Sequence, residues 1–136
     1  MKIMKIITTK KQAAEYLDIP ENEIRYFYKY LNKDWCYQDK DWNWHLFRRK
    51  NRKYIELTKN INAICIHSFE NGDWEYYGED GYFHLFRFIN RKWIELTKGI
   101  NTKYVNSYPN GNWMYKDENN YFNVFNKNNE LIKKYK

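Results

Sequence analysis

A chain of 136 residues is long enough to bury a core in one domain, or in a small head packed on a larger body. Its 14 Tyr, 8 Phe and 6 Trp let aromatic rings build that core despite a mean hydropathy of −1.02. The formal charge of +7 favours an anionic partner, and no apolar run approaches the roughly 20 residues of a membrane span, which argues against a membrane protein.

In chain order, the apolar run of residues 1–7 is too short for a signal peptide. The next segment carries Thr9 as an N-cap, then Ala14, Leu17, Ile19, Ile24 and Phe27 at the spacing of two short helices packed across a turn at Asp18, with Pro20 opening the second. On these residues, about 8–30, the segment resembles a helix-turn-helix of the excisionase or MerR type. The resemblance implies a second helix in the major groove, with Arg25, Tyr26 and Lys29 reaching the DNA. Asp18 stands where that family has glycine, and Glu21 and Glu23 occupy the turn that would face the bases. A helix pair that caps the following body or contacts a protein fits the same pattern.

From Asn32 the chain repeats itself. Residues 32–70 match residues 71–109 at 20 of 39 positions without a gap. His45-Leu46-Phe47-Arg48 falls on His84-Leu85-Phe86-Arg87, and Ile55-Glu56-Leu57-Thr58-Lys59 on Ile94-Glu95-Leu96-Thr97-Lys98. A third, shorter unit over 110–136 keeps Trp113, Tyr115, Tyr121, Phe122 and Phe125 in register. Such identity points to duplication, with a head at 1–31 and an aromatic-rich repeat domain at 32–136.

Each unit reads as antiparallel β. Asn71-Gly72 and Asn110-Gly111 are tight-turn signals because both residue types tolerate positive φ. In the second unit strands are expected over Asp73 to Tyr77, Tyr82 to Phe88, Lys92 to Leu96 and Thr102 to Tyr108. The fold expected is therefore mainly β with a small α head: a meander of tandem 39-residue units in a curled or partly closed sheet.

The densest basic run is Arg48, Arg49, Lys50, Arg52 and Lys53, at a hairpin tip of the first unit; the second unit keeps Arg87, Arg91 and Lys92. Net charge is +2 over 1–31, +3 over 32–70, 0 over 71–109 and +2 over 110–136, so the basic character does not belong to the repeat as such. Clustered cations of this kind attract phosphate and make binding fall with salt. Trp35, Trp74 and Trp113 recur once per unit and read as core anchors. Trp42 and Trp44, with Gly81 and Phe83 opposite them in the second unit, are aromatic contact candidates beside the basic run, together with Tyr26.

His45, His67 and His84 show no metal spacing, and no Asp or Glu pair is evident beside them; Glu56 and Glu95 read as solvent-facing partners of nearby Lys and Arg. Cys36 and Cys65 lie in no zinc or C-x-x-C spacing and are expected as reduced thiols. With no phosphate loop, serine elbow or Cys/His constellation, neither catalysis nor a metal or other cofactor is expected. The expectation is a cytoplasmic, nucleic-acid-binding accessory or regulatory protein, whose partner is nucleic acid or a nucleic-acid-loaded complex. A protein-binding inhibitor or adaptor of a mobile element, with a single protein target, and an intracellular glycan-binding repeat remain alternatives.

Overall fold

The computed structural model of the chain describes residues 6–136; most of the N-terminal apolar run lies outside the described residues. The chain forms two compact units, residues 1–64 and 65–136. Its architecture is mainly β. The first unit holds α1 (Lys10–Leu17), a 3-10 turn (Glu21–Glu23), β1 (Tyr26–Lys29), β2 (Trp35–Gln38), β3 (Trp44–Lys50) and β4 (Lys53–Glu56). Then come β5 (Ala63–Ser68), β6 (Trp74–Gly78), β7 (Phe83–Ile89), β8 (Lys92–Glu95), β9 (Val105–Ser107), β10 (Trp113–Lys116), β11 (Phe122–Phe125) and β12 (Leu131–Tyr135). They make three four-stranded sheets, β1–β4, β5–β8 and β9–β12, each in up-and-down order and none closed on itself. Among the described residues no helix is long and apolar enough to cross a membrane.

Helix α1 starts where the sequence places it. The Thr9 hydroxyl accepts from the Gln12 N–H, and the Gln12 side chain accepts in return from the Thr9 N–H, a capping box. Asp18 ends the helix in the left-handed region at φ 56°, the role glycine usually fills. The expected second helix is not formed. Residues 21–23 make a single 3-10 turn, and Tyr26 to Lys29 extend as β1 against β2, with Phe27 opposite Tyr37 and Tyr28 opposite Cys36. Consecutive aromatics favour strand, and pairing with β2 buries Phe27 against the core in a way that an isolated short helix would not.

One hairpin loop recurs. At Tyr30–Asp34, Asp39–Asn43, Phe69–Asp73, Gly78–Tyr82, Tyr108–Asn112, Asp117–Tyr121 and Asn126–Glu130 the first N–H donates to the fifth carbonyl. The fourth residue of each (Lys33, Trp42, Gly72, Gly81, Gly111, Asn120, Asn129) has positive φ. This is a type I turn followed by a left-handed residue. Hence only the glycine of each Asn-Gly pair is left-handed; Asn71 and Asn110 instead accept from the N–H two residues on, at 2.8 and 2.9 Å. The two-residue loops with both residues left-handed are Asn51-Arg52 and Asn90-Arg91. The segment expected as the fourth strand of the second unit contributes β9, which pairs with β10 and so opens the next sheet.

Trp35, Trp74 and Trp113 are buried at 0, 2 and 1% exposure. Each stacks on the Phe directly across the strand pair: Trp35 on Phe47 at 4.4 Å, Trp74 on Phe86 at 4.7 Å and Trp113 on Phe125 at 4.5 Å between centroids. In the first unit, Ile7, Ala13, Ala14 and Ile24 close over Trp35, Phe47 and Tyr54. The Trp113 indole donates to Asn129 at 2.9 Å, whereas the buried Trp35 and Trp74 N–H groups have no partner.

Candidate functional site

The basic residues divide into two classes. Arg48 donates to the buried carboxylate of Asp34 from Nε at 3.1 Å and from Nη2 at 2.7 Å, and Arg87 makes the same fork to Asp73. Asp34 and Asp73 are each only 3% exposed, so these pairs belong to the interior. Arg48 and Arg87, read from sequence as part of an anion-binding tip, are therefore structural cations. Arg49, Lys50, Arg52 and Lys53 are exposed around the β3–β4 loop, with Lys50 directly opposite Lys53. Like charges facing across a strand pair repel, so the tip concentrates positive potential at some cost in stability. On the second sheet Arg91 and Lys92 are exposed at the matching loop, beside exposed Phe88 and Ile89.

The aromatic candidates come together at the other end of β3. Trp42 is 61% exposed, and the Arg25 guanidinium carbon lies over its ring, 3.4 Å from the centroid. Tyr26, 54% exposed on β1, meets Trp44 edge-to-face at 5.6 Å. Lys29 and Tyr28 continue the exposed edge of β1. Tyr26 and Arg25 were singled out with the helical head, and Trp42 and Trp44 with the first repeat; β1 joining the sheet is what unites them. Trp42 holds φ +70°, a conformation rare for bulky side chains. Trp44 and Lys50 end the seven residues of β3, so the aromatic corner and the basic tip stand about 20 Å apart along one strand.

Each of two histidines sits between two carboxylates. His45 Nδ1 is 2.8 Å from Glu56 and Nε2 is 2.8 Å from Asp39; His84 is 3.2 Å from Glu95 and 2.8 Å from Asp80. Carboxylates only accept, so a ring protonated on both nitrogens satisfies both neighbours. Burial works against that charge at His45, yet the hydrogen bonds to Glu56 and Asp39 outweigh it and raise the pKa. The carboxyl groups of Glu56 and Asp39 are held below their usual range: burial opposes this, and the bond to His45 wins. Tyr37 stacks on His45 at 4.7 Å, and burial, then Glu56 and Asp39, push its hydroxyl up to about 12.

Glu56 and Glu95 are thus half-buried histidine partners, correcting the solvent-facing reading. Thr58 and Thr97 donate to them at 3.1 Å while accepting from Leu46 and Leu85 N–H. Sequence reasoning missed these clusters, although Glu falls 11 residues after His in both copies. The second carboxylate was less visible because it comes from different loop positions: Asp39 opens its loop, whereas Asp80 is the third residue of its own.

Among the described residues no group of His, Cys, Asp and Glu is arranged to hold a metal ion. Neither Cys36, buried, nor Cys65, exposed, is in a disulfide. No protein-family model matches the chain, and no curated protein or solved structure matches it either.

Proposed function

We propose that the chain is a non-enzymatic, cytoplasmic accessory or regulatory protein, built of duplicated 39-residue β units, in which the compact unit of residues 1–64 binds unpaired nucleic acid. The observation that carries this reading is the Arg25–Trp42 stack beside Tyr26 and Trp44, on the same sheet as four exposed cations. Flat exposed rings accept bases irrespective of sequence, and a cationic tip holds the phosphates. Charge supports the same unit: residues 1–64 hold 14 Lys and Arg against 8 Asp and Glu, a net +6, whereas residues 65–136 hold 10 against 9. The non-enzymatic part of the reading rests on His45 and His84, whose ring nitrogens are both engaged by carboxylates and so are poorly placed to exchange protons with a substrate.

The test is fluorescence anisotropy with labelled single-stranded DNA and RNA of about 12 nucleotides, titrated over a salt series. Binding should weaken as salt rises. Trp42→Ala should reduce affinity about tenfold, and Arg49→Glu with Arg52→Glu should flatten the salt slope by about two. Salt-independent retention, or affinity untouched by both variants, would remove the nucleic-acid reading in favour of a protein partner.

A further inference from the structure

The second unit holds a hollow of about 790 Å³ whose charged lining residues sum to zero. Its aromatic walls are Tyr82, Tyr104 and Phe122, with Tyr104 and Phe122 edge-to-face at 5.9 Å. The two ring-bearing segments are tied together locally. Thr102, 2% exposed, donates its hydroxyl toward the Lys116 and Tyr104 carbonyls at 2.8 Å, and the Lys116 N–H donates to the Tyr104 carbonyl. Tyr82 is brought alongside because the next residue, Phe83, donates its N–H to the Thr102 carbonyl at 2.9 Å.

The polar lining separates into committed and uncommitted groups. The Asp117 carboxylate accepts from Asn123 and from two loop N–H groups and is ion-paired with Lys134 at 3.7 Å, and Lys116 lies over the Phe122 ring at 5.5 Å. By contrast, the side chains of Asn101, Lys103, Glu118 and Asn120 have no hydrogen-bond or ion-pair partner among the described residues, and all four are exposed at the hollow. Asn101 and Asn120 offer donors and acceptors together, Lys103 only donors, Glu118 only acceptors. The cations Lys103 and Lys116 are balanced by Asp117 and Glu118.

A phosphate-bearing ligand would meet two carboxylates for its two lysines, and a purely apolar one would strand four polar side chains. The ligand that suits this lining has apolar C–H faces for the rings and many hydroxyls that both donate and accept, without net charge. The volume lies within the roughly 300–1,000 Å³ of small-molecule sites and is ample for two pyranose rings. We propose that this hollow is a binding site for a short neutral oligosaccharide, with the exposed ring of Tyr104 as the stacking surface and Asn101, Lys103, Glu118 and Asn120 as hydroxyl partners. The site is independent of the cationic surface on the first unit.

The experiment titrates the full chain, ¹⁵N-labelled, with maltose, cellobiose, lactose and N,N′-diacetylchitobiose, and separately with uridine monophosphate and inorganic phosphate. At least one disaccharide should shift the amides of Tyr104, Asn120 and Phe122 with a Kd on the order of 1 mM. Tyr104→Ala should weaken that binding about tenfold. Asn120→Gly, which preserves the left-handed backbone at φ 67°, should weaken it several-fold without altering the remaining spectrum. Folding of each variant is read from its own spectrum, and Asn120→Gly keeps the test open if Tyr104→Ala does not fold. No shift with any of the four disaccharides, shifts that survive both variants, or shifts at these amides with uridine monophosphate or phosphate instead, would overturn the proposal. Oligonucleotide binding by the first unit is measured separately, so the two readings can fail independently.

Discussion

The two units use the same loops with different residues in the position that matters most. Where residues 65–136 place Gly72, Gly81 and Gly99 at positive φ, residues 1–64 place Lys33, Trp42 and Asn60. Left-handed backbone costs a non-glycine residue roughly 1–2 kcal/mol, and less for Asn. Crowding does not explain Gly81 or Gly99: a Cβ at Gly81 would approach nothing closer than 3.8 Å, and one at Gly99 nothing within 4 Å. The geometry is common to both units, whereas the side chains are not. The first unit therefore carries side chains at left-handed positions where the second has glycine, and at Trp42 the strain falls in the exposed aromatic corner.

The largest expected effect lies in what the two units share. Arg48→Ala and Arg87→Ala each leave a carboxylate that is 3% exposed without its charge partner, and each should cost about 3–5 kcal/mol in urea unfolding. The third sheet has Asn112 and Asn126 at the corresponding positions, so Asp73→Asn with Arg87→Asn should be far milder than Arg87→Ala alone. An Arg48→Ala protein of unchanged stability that no longer bound oligonucleotides would return Arg48 to the binding surface.

A second contrast sits one residue past each core tryptophan. Cys36 and Met114 are buried there, but the second sheet has Glu75, opposite Leu85, with a carboxylate oxygen that is buried and unpartnered. Burial raises its pKa from 4.5 to about 8. The folded state thus binds a proton that the unfolded chain releases near pH 4.5, and stability should decline as pH rises from about 4.5 to 8. Glu75→Met should abolish that decline and be more stable by roughly 2–4 kcal/mol at pH 8.5, by thermal and urea unfolding. An unchanged pH profile would mean that water reaches the carboxylate.

How far the sequence disclosed this structure varies with the range of the signal. Period-two aromatics and loop residues located most strands of the second unit, and the recurring tryptophans located the stacks of Trp35, Trp74 and Trp113. The phase of the sheets was not legible. A repeat can be cut at any point, and cutting at Asn32 left Tyr26–Lys29 with the head although it pairs with Trp35–Gln38. The head's apolar spacing suited a helix pair, and only a partner strand distant from that pattern decided otherwise. The basic run hid its division as well. Arg48 and Arg49 are neighbours, but strand alternation sends one to Asp34 and the other to solvent, and the aspartate lies 14 residues away. Arg25 and Trp42 both stood out, but nothing local implied that they touch.

The His45 cluster supplies a smaller, pH-dependent effect. The raised pKa of His45 means that its contribution is complete below about pH 6.5 and is lost as pH rises through the folded value. Asp39 and Glu56 act in the opposite sense: their pKa values are lowered, so their contributions hold above the usual carboxylate range and are lost as pH falls through the folded values. The first unit's cluster is thus firmest in mildly acidic solution. His45→Asn, which copies Asn123 of the third sheet, should cost about 1–2 kcal/mol near pH 5.5 and less near pH 8. An equal loss at both pH values would assign His45 a packing role against Tyr37 and nothing more.

The smallest change in stability tests the comparison most directly. Trp42→Gly gives the first unit the residue found at position 81 of the second and relieves the backbone at φ +70°. The indole is 61% exposed, so its removal forfeits little burial, and its contact with Arg25 is worth about 0.5–1 kcal/mol at an exposed site. Relief of roughly 1–2 kcal/mol outweighs that loss, and the variant should unfold at equal or slightly higher urea concentration. Oligonucleotide affinity should nevertheless fall about tenfold, because a stacking surface has gone and Arg25 has lost the plate that orients it. Opposite signs in stability and binding are the signature of a strained residue retained for contact. If Trp42→Gly is clearly less stable, the indole is structural and the difference between the two units carries no functional meaning.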